Sequence, residues 1–313
     1  MNHWEKENAV QLGIAFKEAG FQVSHMCCSR PSCFDFAARK NDTKVLVKAH
    51  SDVDSFSRRD SRELRVIASR VSAATLVVSR RTHDKSLEDD TVYARYGVHA
   101  VTVKTAKNIA FQTGEPLIIA GPGGYFVEVD GALIEKRREE MGLSVGQLAE
   151  MMGVSRRTLY GYERNMGKAS VTSAYNLAKV LGVPVAKPVD ILKRAKKQRL
   201  CLILHAKHVL GGQTLLQKVF RKFAFCDISL VEKAPFDFVL NVPEGEDVIV
   251  GGVAAKDEEH LDARAEEILS VARVVNAHPV LITQKRHCCR EMLCVSADEL
   301  ATMRRPQDLF ASV

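Results

Sequence analysis

Arg156 and Arg157 directly follow Ser155 in a stretch whose small and apolar residues recur at helical spacing. A guanidinium is a planar fork of N–H donors that can meet guanine O6 and N7 together. Two of them at the start of an exposed helix suit the reading of base edges. Thr158, Tyr160 and Gly161 lie in the same short segment, and Ser155 is placed to cap it. With Ser144 and Gln147 at the start of the preceding helix, these are the candidate DNA-contacting residues. A basic run follows from Lys187 to Arg199, with Asp190 as its only acid. Lys193, Arg194, Lys196 and Lys197 are its candidate phosphate contacts, and its plainer reading is a solvated linker.

The cysteines offer a second chemistry. There are eight, and Cys27, Cys28 and Cys33 form a CC-x4-C group near His25 that recurs as Cys288, Cys289 and Cys294 beside His287. Zinc ligands usually come as C-x2-C pairs, which neither group contains. Adjacent cysteines on a strand also point to opposite faces. The expectation is therefore buried free thiols, with no metal and no cofactor.

The elements that must position Arg156 and Arg157 are local and strongly signalled. Ala132 to Met141 reads as a helix ended by Gly142. Ser144 caps the next helix, through Met152, with Gln147 three residues on as in a capping box. Gly153 supplies the tight turn, Val154 fills the angle between helices, and small Ala149 lets them approach. Leu159 and Tyr162 are the core-facing residues of the third helix, and Thr172 to Leu181 completes the bundle. The arrangement predicts a helix-turn-helix over residues 131–186.

On either side the pattern is mixed α/β. Residues 1–112 begin with a helix, in which Val10 and Ile14 form one apolar row and Leu12 and Phe16 another, and continue with strand-like runs such as CFDFAA, KVLVKAH and TLVVSR. Residues 113–130 read as a β-hairpin connector around Gly121 to Gly124, and 187–199 as a basic linker. Residues 200–313 repeat the order of the first segment. Phe34-Asp35-Phe36 recurs as Phe236-Asp237-Phe238, KVLVK recurs as DVIVGG, and a helix leads into a strand both times. The expected architecture is an all-α domain between two duplicated α/β domains.

The run LSVGQLAEMMGVSRRTLYGYE resembles the helix-turn-helix of Cro and the lambdoid phage repressors. That resemblance places Ser155, Arg156, Arg157, Thr158 and Gly161 toward the DNA groove. Val145 stands where that family often has a phosphate-contacting glutamine, and Gly161 brings no side chain to a position often used for readout. The whole chain resembles an archaeal family of helix-turn-helix transcriptional regulatory proteins, through FDFAARKNDTKVLVKAHSDVDSF, LEDDTVYARYGVHAV and the central helices.

The flanks are similar to the restriction-endonuclease-like fold. Active members of that fold pair a strand aspartate with an E-x-K or D-x-K on the next strand, where carboxylates hold Mg²⁺. Asp35 and Lys48 match, but Leu46 occupies the second carboxylate position. The second copy keeps Asp237, with Ile249 and Gly251 at the other two places. Both copies are expected to be catalytically degenerate, with Glu63, on the following helix, a candidate migrated carboxylate in the first.

Composition agrees. The net charge of +7 and a pI near 9.0 suit a polyanionic partner. No apolar run reaches the roughly 18 residues that a bilayer demands, and the first ten residues are polar, so a membrane partner is excluded and a cytoplasmic location expected. The resulting expectation is a DNA-binding transcriptional regulator that is not an enzyme, binding double-stranded DNA as a homodimer. A metal-dependent nuclease or resolvase is the alternative, and a scaffold for a protein partner or small effector the third reading. Neither an effector nor a protein partner is specified by the sequence.

Overall fold

The computed structural model describes residues 2–83, 85–193, 214–224, 226–242, 247–254, 258–284 and 292–310. Arg194, Lys196, Lys197, Cys288 and Cys289 fall outside them.

The chain opens with α1 (His3–Glu18), capped by Asn2 and Glu5 in a capping box. Leu12 and Phe16 are buried, but Val10 and Ile14 face outward, half exposed. Short β1 (Gln22–Val23) then pairs antiparallel with β2 (Phe36–Lys40), which pairs antiparallel with β3 (Thr43–Ala49). Helix α2 (Arg58–Arg70) crosses over to β4 (Ala74–Val78), parallel to β3. A small ribbon follows, β5 (Arg81–Thr82) with β6 (Lys85–Ser86), and then β7 (Thr91–Arg95), β8 (Val98–Val101) and α3 (Val103–Phe111). Strand β8 lies parallel to β4 and antiparallel to β7.

The expected connector is instead part of this sheet. Strand β9 (Ile118–Gly121) pairs parallel with β7, and β10 (Gly124–Val129) returns from the GPGG turn. Gly123 and Gly124 there have φ of 89° and 138°, which a side chain would resist. Strand β10 also pairs with two short strands of the helical domain, β11 (Ala169–Ser170) and β12 (Ala186–Lys187). The helical domain, α4 (Gly131–Glu140), α5 (Val145–Met152), α6 (Arg156–Glu163) and α7 (Val171–Leu181), is thus edge-bonded to the first sheet. The stretch after it is no free linker at its start. Val189 donates its N–H to Pro116 O, and Val189 and Ile191 are buried against the first domain. Apolar Val-x-Ile within the charge run explains the difference: it has a core to reach.

The second α/β unit comprises α8 (Thr214–Lys222), β13 (Asp227–Leu230), β14 (Phe238–Asn241), β15 (Val248–Val253), α9 (Leu261–Val275), β16 (His278–Thr283), β17 (Leu293–Ser296) and α10 (Ala297–Thr302). Its sheet order, β13-β14-β15-β16-β17, has the same antiparallel, antiparallel, parallel, parallel pairing as β1-β2-β3-β4-β8. The duplication is therefore structural as well as textual.

The two copies share one core. Phe34, Leu46 and Leu64 from the first and Phe236, Val250 and Ile268 from the second belong to a single apolar cluster, with the rings of Phe34 and Phe236 centred 6.2 Å apart. Helix α9 packs on β2 and α2 packs on β14, a reciprocal exchange of the kind a two-fold dimer makes. Here both halves are in one chain.

Candidate functional site

The helical domain is assembled by local rules. Ser144 Oγ accepts the Gln147 N–H (3.2 Å), while Gln147 Oε1 accepts the Ser144 N–H (2.8 Å), closing a capping box on α5. Gly153 ends α5 at φ 64°. Ser155 Oγ then accepts the Thr158 N–H (3.0 Å) to start α6. Leu159 and Tyr162 are buried with Leu148, Ala149 and Met152, and Ser155, Arg156, Arg157 and Tyr160 are exposed. Thr158 and Gly161 are half-buried, and Ser144 and Gln147 lie exposed at the neighbouring α5 start. All eight candidate contacts therefore gather around the first turns of two adjacent helices.

Three features of this domain escape a sequence reading. A Cβ on Gly146 would stand 2.9 Å from Arg156 Nε, so the guanidinium of Arg156 lies over the bare backbone of α5. Arg138 Nε donates to Glu163 Oε1 at 2.7 Å in a buried pair that ties α4 to the end of α6. Gly131 meets the carbonyls of Tyr162 and Glu163 so closely that a Cβ there would clash at 2.2 Å. Together they hold α6 at a fixed angle, which a reading helix needs.

The second candidate site is the cleft of the first α/β unit, about 730 Å³, lined among others by Glu5, Cys28, Arg30, Asp35, Lys48 and His50. Asp35 and Lys48 do come together: Lys48 Nζ donates to Asp35 Oδ1 (2.7 Å) and to Ser32 O (3.0 Å). Asp35 Oδ2 accepts the Ala49 N–H (2.7 Å), and burial holds this carboxyl above the ordinary range despite Lys48. Leu46 is fully buried. Glu63 does not line the cleft. It accepts the backbone N–H groups of Glu232 (3.0 Å) and Lys233 (2.8 Å) from the second copy.

A cleft residue not singled out from sequence is Glu5, on α1. Its Oε1 accepts from Ser51 N–H (3.1 Å) and lies 3.2 Å from His50 Nδ1. Burial works to raise the Glu5 carboxyl, but the Ser51 and Asn2 N–H bonds and the nearby His50 and Lys48 outweigh it and leave it low. A lone glutamate in an amphipathic helix carries no signal of its own. Cys27 and Cys33 are buried beside the cleft, and that burial pushes both thiols well up, keeping them protonated. Cys28 is exposed.

These donors make a sparse set for a divalent cation. Both Asp35 oxygens are engaged, the next position is apolar, Glu63 serves the other copy, and Glu5 is held by backbone amides.

In the second copy Asp237 repeats the backbone role of Asp35. Its N–H donates to Gly251 O (2.8 Å), as Asp35 N–H does to Val47 O (2.7 Å), and its Oδ2 accepts the Val253 N–H (2.6 Å). This register makes Val250 the counterpart of Leu46 and Gly252 that of Lys48, one residue later than the expected Ile249 and Gly251. The cation instead comes from α9. Arg264 Nη2 donates to Asp237 Oδ2 (2.5 Å), and Arg30 of the first copy reaches Asp237 Oδ1 (2.8 Å).

Residues 134–187 match the helix-turn-helix family, and residues 8–116 the PD-(D/E)XK superfamily domain. The "Putative HTH-type transcriptional regulatory protein" of Methanococcus maripaludis strain C7 is 33% identical over 302 residues, 92% of each chain. The chain belongs to this family. Its namesake in Methanocaldococcus jannaschii is 31% identical over 90% of this chain and 88% of its own length. In Methanosarcina mazei the family member is 41% identical over 58% of this chain and 56% of its own. Among solved structures, a chain of a SinR protein/SinI protein complex aligns over 30% of this chain and 93% of its own, at 25% identity and a TM-score of 0.17. Among the described residues of this family member, no helix is long and apolar enough to cross a membrane.

Proposed function

We propose that the chain is a sequence-specific transcriptional regulator that reads double-stranded DNA with the first turns of α6, acts as a homodimer, and does not cut the DNA it holds. One observation carries this reading. Helix α6 buries Leu159 and Tyr162 while presenting Arg156, Arg157 and Tyr160 outward from a capped N-terminus. A helix so placed can enter the major groove, with side chains at base edges and backbone amides at phosphate. Homodimer binding doubles the few base pairs that one such helix contacts. Lys193, exposed, is the phosphate-contact candidate from the basic run that lies within the described residues.

The experiment selects bound fragments from genomic DNA and then titrates the site found. Arg156→Ala or Arg157→Ala should cost about 1–3 kcal/mol on that site and much less on random duplex. Equal losses on both would sink the readout role, and native mass of the shifted complex should show two chains per duplex. Non-cleavage is supported by the engaged oxygens of Asp35 and by Leu46 at the second carboxylate position. Glu5, present in the cleft, is the feature a nuclease reading would use. Duplex, branched and single-stranded DNA should survive incubation with Mg²⁺ or Mn²⁺; cutting that vanishes in Asp35→Ala and Glu5→Gln would establish the nuclease instead.

A further inference from the structure

LEDDTVYARYGVHAV, a segment through which the chain resembles its family, supplies none of the candidate base-reading residues. Its centre is the β7–β8 turn, where Tyr96 takes φ 48° and Gly97 φ 82°. This turn is built into an arginine surface. The guanidinium of Arg95 lies over the Tyr96 ring at 4.6 Å and that of Arg58 at 5.3 Å. Arg65 Nη1 donates to Tyr96 O (3.1 Å), and Ser61 Oγ donates to the same carbonyl (3.0 Å). Gly97 makes room for this: a Cβ there would stand 2.9 Å from the Arg65 guanidinium.

Arg58, Arg62 and Arg65 are spaced i, i+4 and i+7, which puts them on one face of α2. Arg58 and Arg62 are exposed. The acids on α2 are committed elsewhere, Asp60 to Lys233 and Glu63 to the amides of Glu232 and Lys233. Of the acids nearby, Asp54 pairs with Arg95 (3.3 Å). Among the described residues the face therefore carries more arginines than acids, with Arg58 set against an aromatic ring and Arg65 against a turn carbonyl. A planar guanidinium so held is suited to bidentate hydrogen bonding with phosphate oxygens.

We propose that this face of the first α/β domain, centred on Arg58, Arg62, Arg65 and Tyr96, binds the phosphodiester backbone of duplex DNA, adding a sequence-independent contact to that made by α6. It rests on the DNA-binding reading above, because the duplex is the polyanion that this protein already handles.

The test uses the full chain with the selected operator and a random-sequence duplex, and measures log K against log salt for the unaltered protein and three variants. Arg58→Gln/Arg62→Gln should flatten the slope by about 1.8, at roughly 0.9 for each phosphate no longer neutralised. It should leave the ratio of operator to random affinity unchanged. Arg58→Lys/Arg62→Lys, which keeps the charge, should restore most of the slope. Arg156→Ala/Arg157→Ala should instead lower that ratio. An unchanged slope in the glutamine variant, with its melting temperature intact, overturns the proposal while leaving the reading of α6 standing. A slope flattened equally in the lysine variant also overturns it, since charge would then not be the cause. If Arg156→Ala/Arg157→Ala leaves the ratio untouched, the reading of α6 is what fails.

Discussion

Asp35 and Asp237 open equivalent strands and accept a backbone N–H at the same place on the neighbouring strand, from Ala49 and Val253. Around that shared duty the two sites diverge. Asp35 keeps a strand lysine and faces an open cleft. Asp237 has exchanged the lysine for glycine and sits between Arg264, from its own helix, and Arg30, from the other copy. In both copies the aspartate pins two strands together, a structural duty separate from any chemistry. Retention of a catalytic-looking aspartate is poor evidence for catalysis where the same carboxylate satisfies a buried N–H.

The comparison predicts unequal costs. Asp237→Ala should be the more damaging change, about 3 kcal/mol, because it orphans the Val253 N–H and strips a carboxylate from Arg264, whose side chain is 1% exposed and keeps Glu258 as its other carboxylate partner. Asp35→Ala should cost about 2 kcal/mol: the Ala49 N–H is orphaned, but Lys48 lies on the cleft wall and can swing its ammonium toward water. Denaturant unfolding of both variants decides, and a reversed order would break the distinction between a closed and an open site.

A smaller effect sharpens it. Glu267 occupies on α9 the position of Glu63 on α2, and accepts the N–H groups of Cys28 and Ser29, both at 2.8 Å. Each glutamate therefore holds the other copy's loop. Glu267→Ala should cost about 1–2 kcal/mol and speed amide exchange at Cys28 and Ser29. Unchanged exchange there would mean that the loop holds itself.

What the sequence made legible was local. Capping box, turn glycine and the burial of Leu159 and Tyr162 all depend on residues a few positions apart, and the structure has them as read. The order of elements in the duplicated flanks was legible for the same reason. The register of β15 was not: VIVGGV is buried throughout, and a strand covered on both faces gives no alternation to fix its phase. Nor were the partners of Glu63, Glu267, Arg30 and Arg264, since those bonds join residues brought together only by the packing of one copy on the other. Val10 and Ile14 misled because an apolar row on a helix does not say which of two rows is covered. The basic run misled by composition, which hid Val189 and Ile191.

The continuous hydrogen bonding from β7 through β9 and β10 to β11 and β12 makes the reading head a cantilever rather than a pendant. Both chain crossings are clamped, one in the hairpin and the other where Val189 bonds Pro116. A tethered head could follow a half-site displaced by one base pair, which turns the groove by about 36° at roughly 10 base pairs per turn. A clamped head would have to bend a sheet to do so. In the homodimer proposed above, the distance and angle between half-sites would then be gauged by the body of the protein, working as a caliper on the duplex.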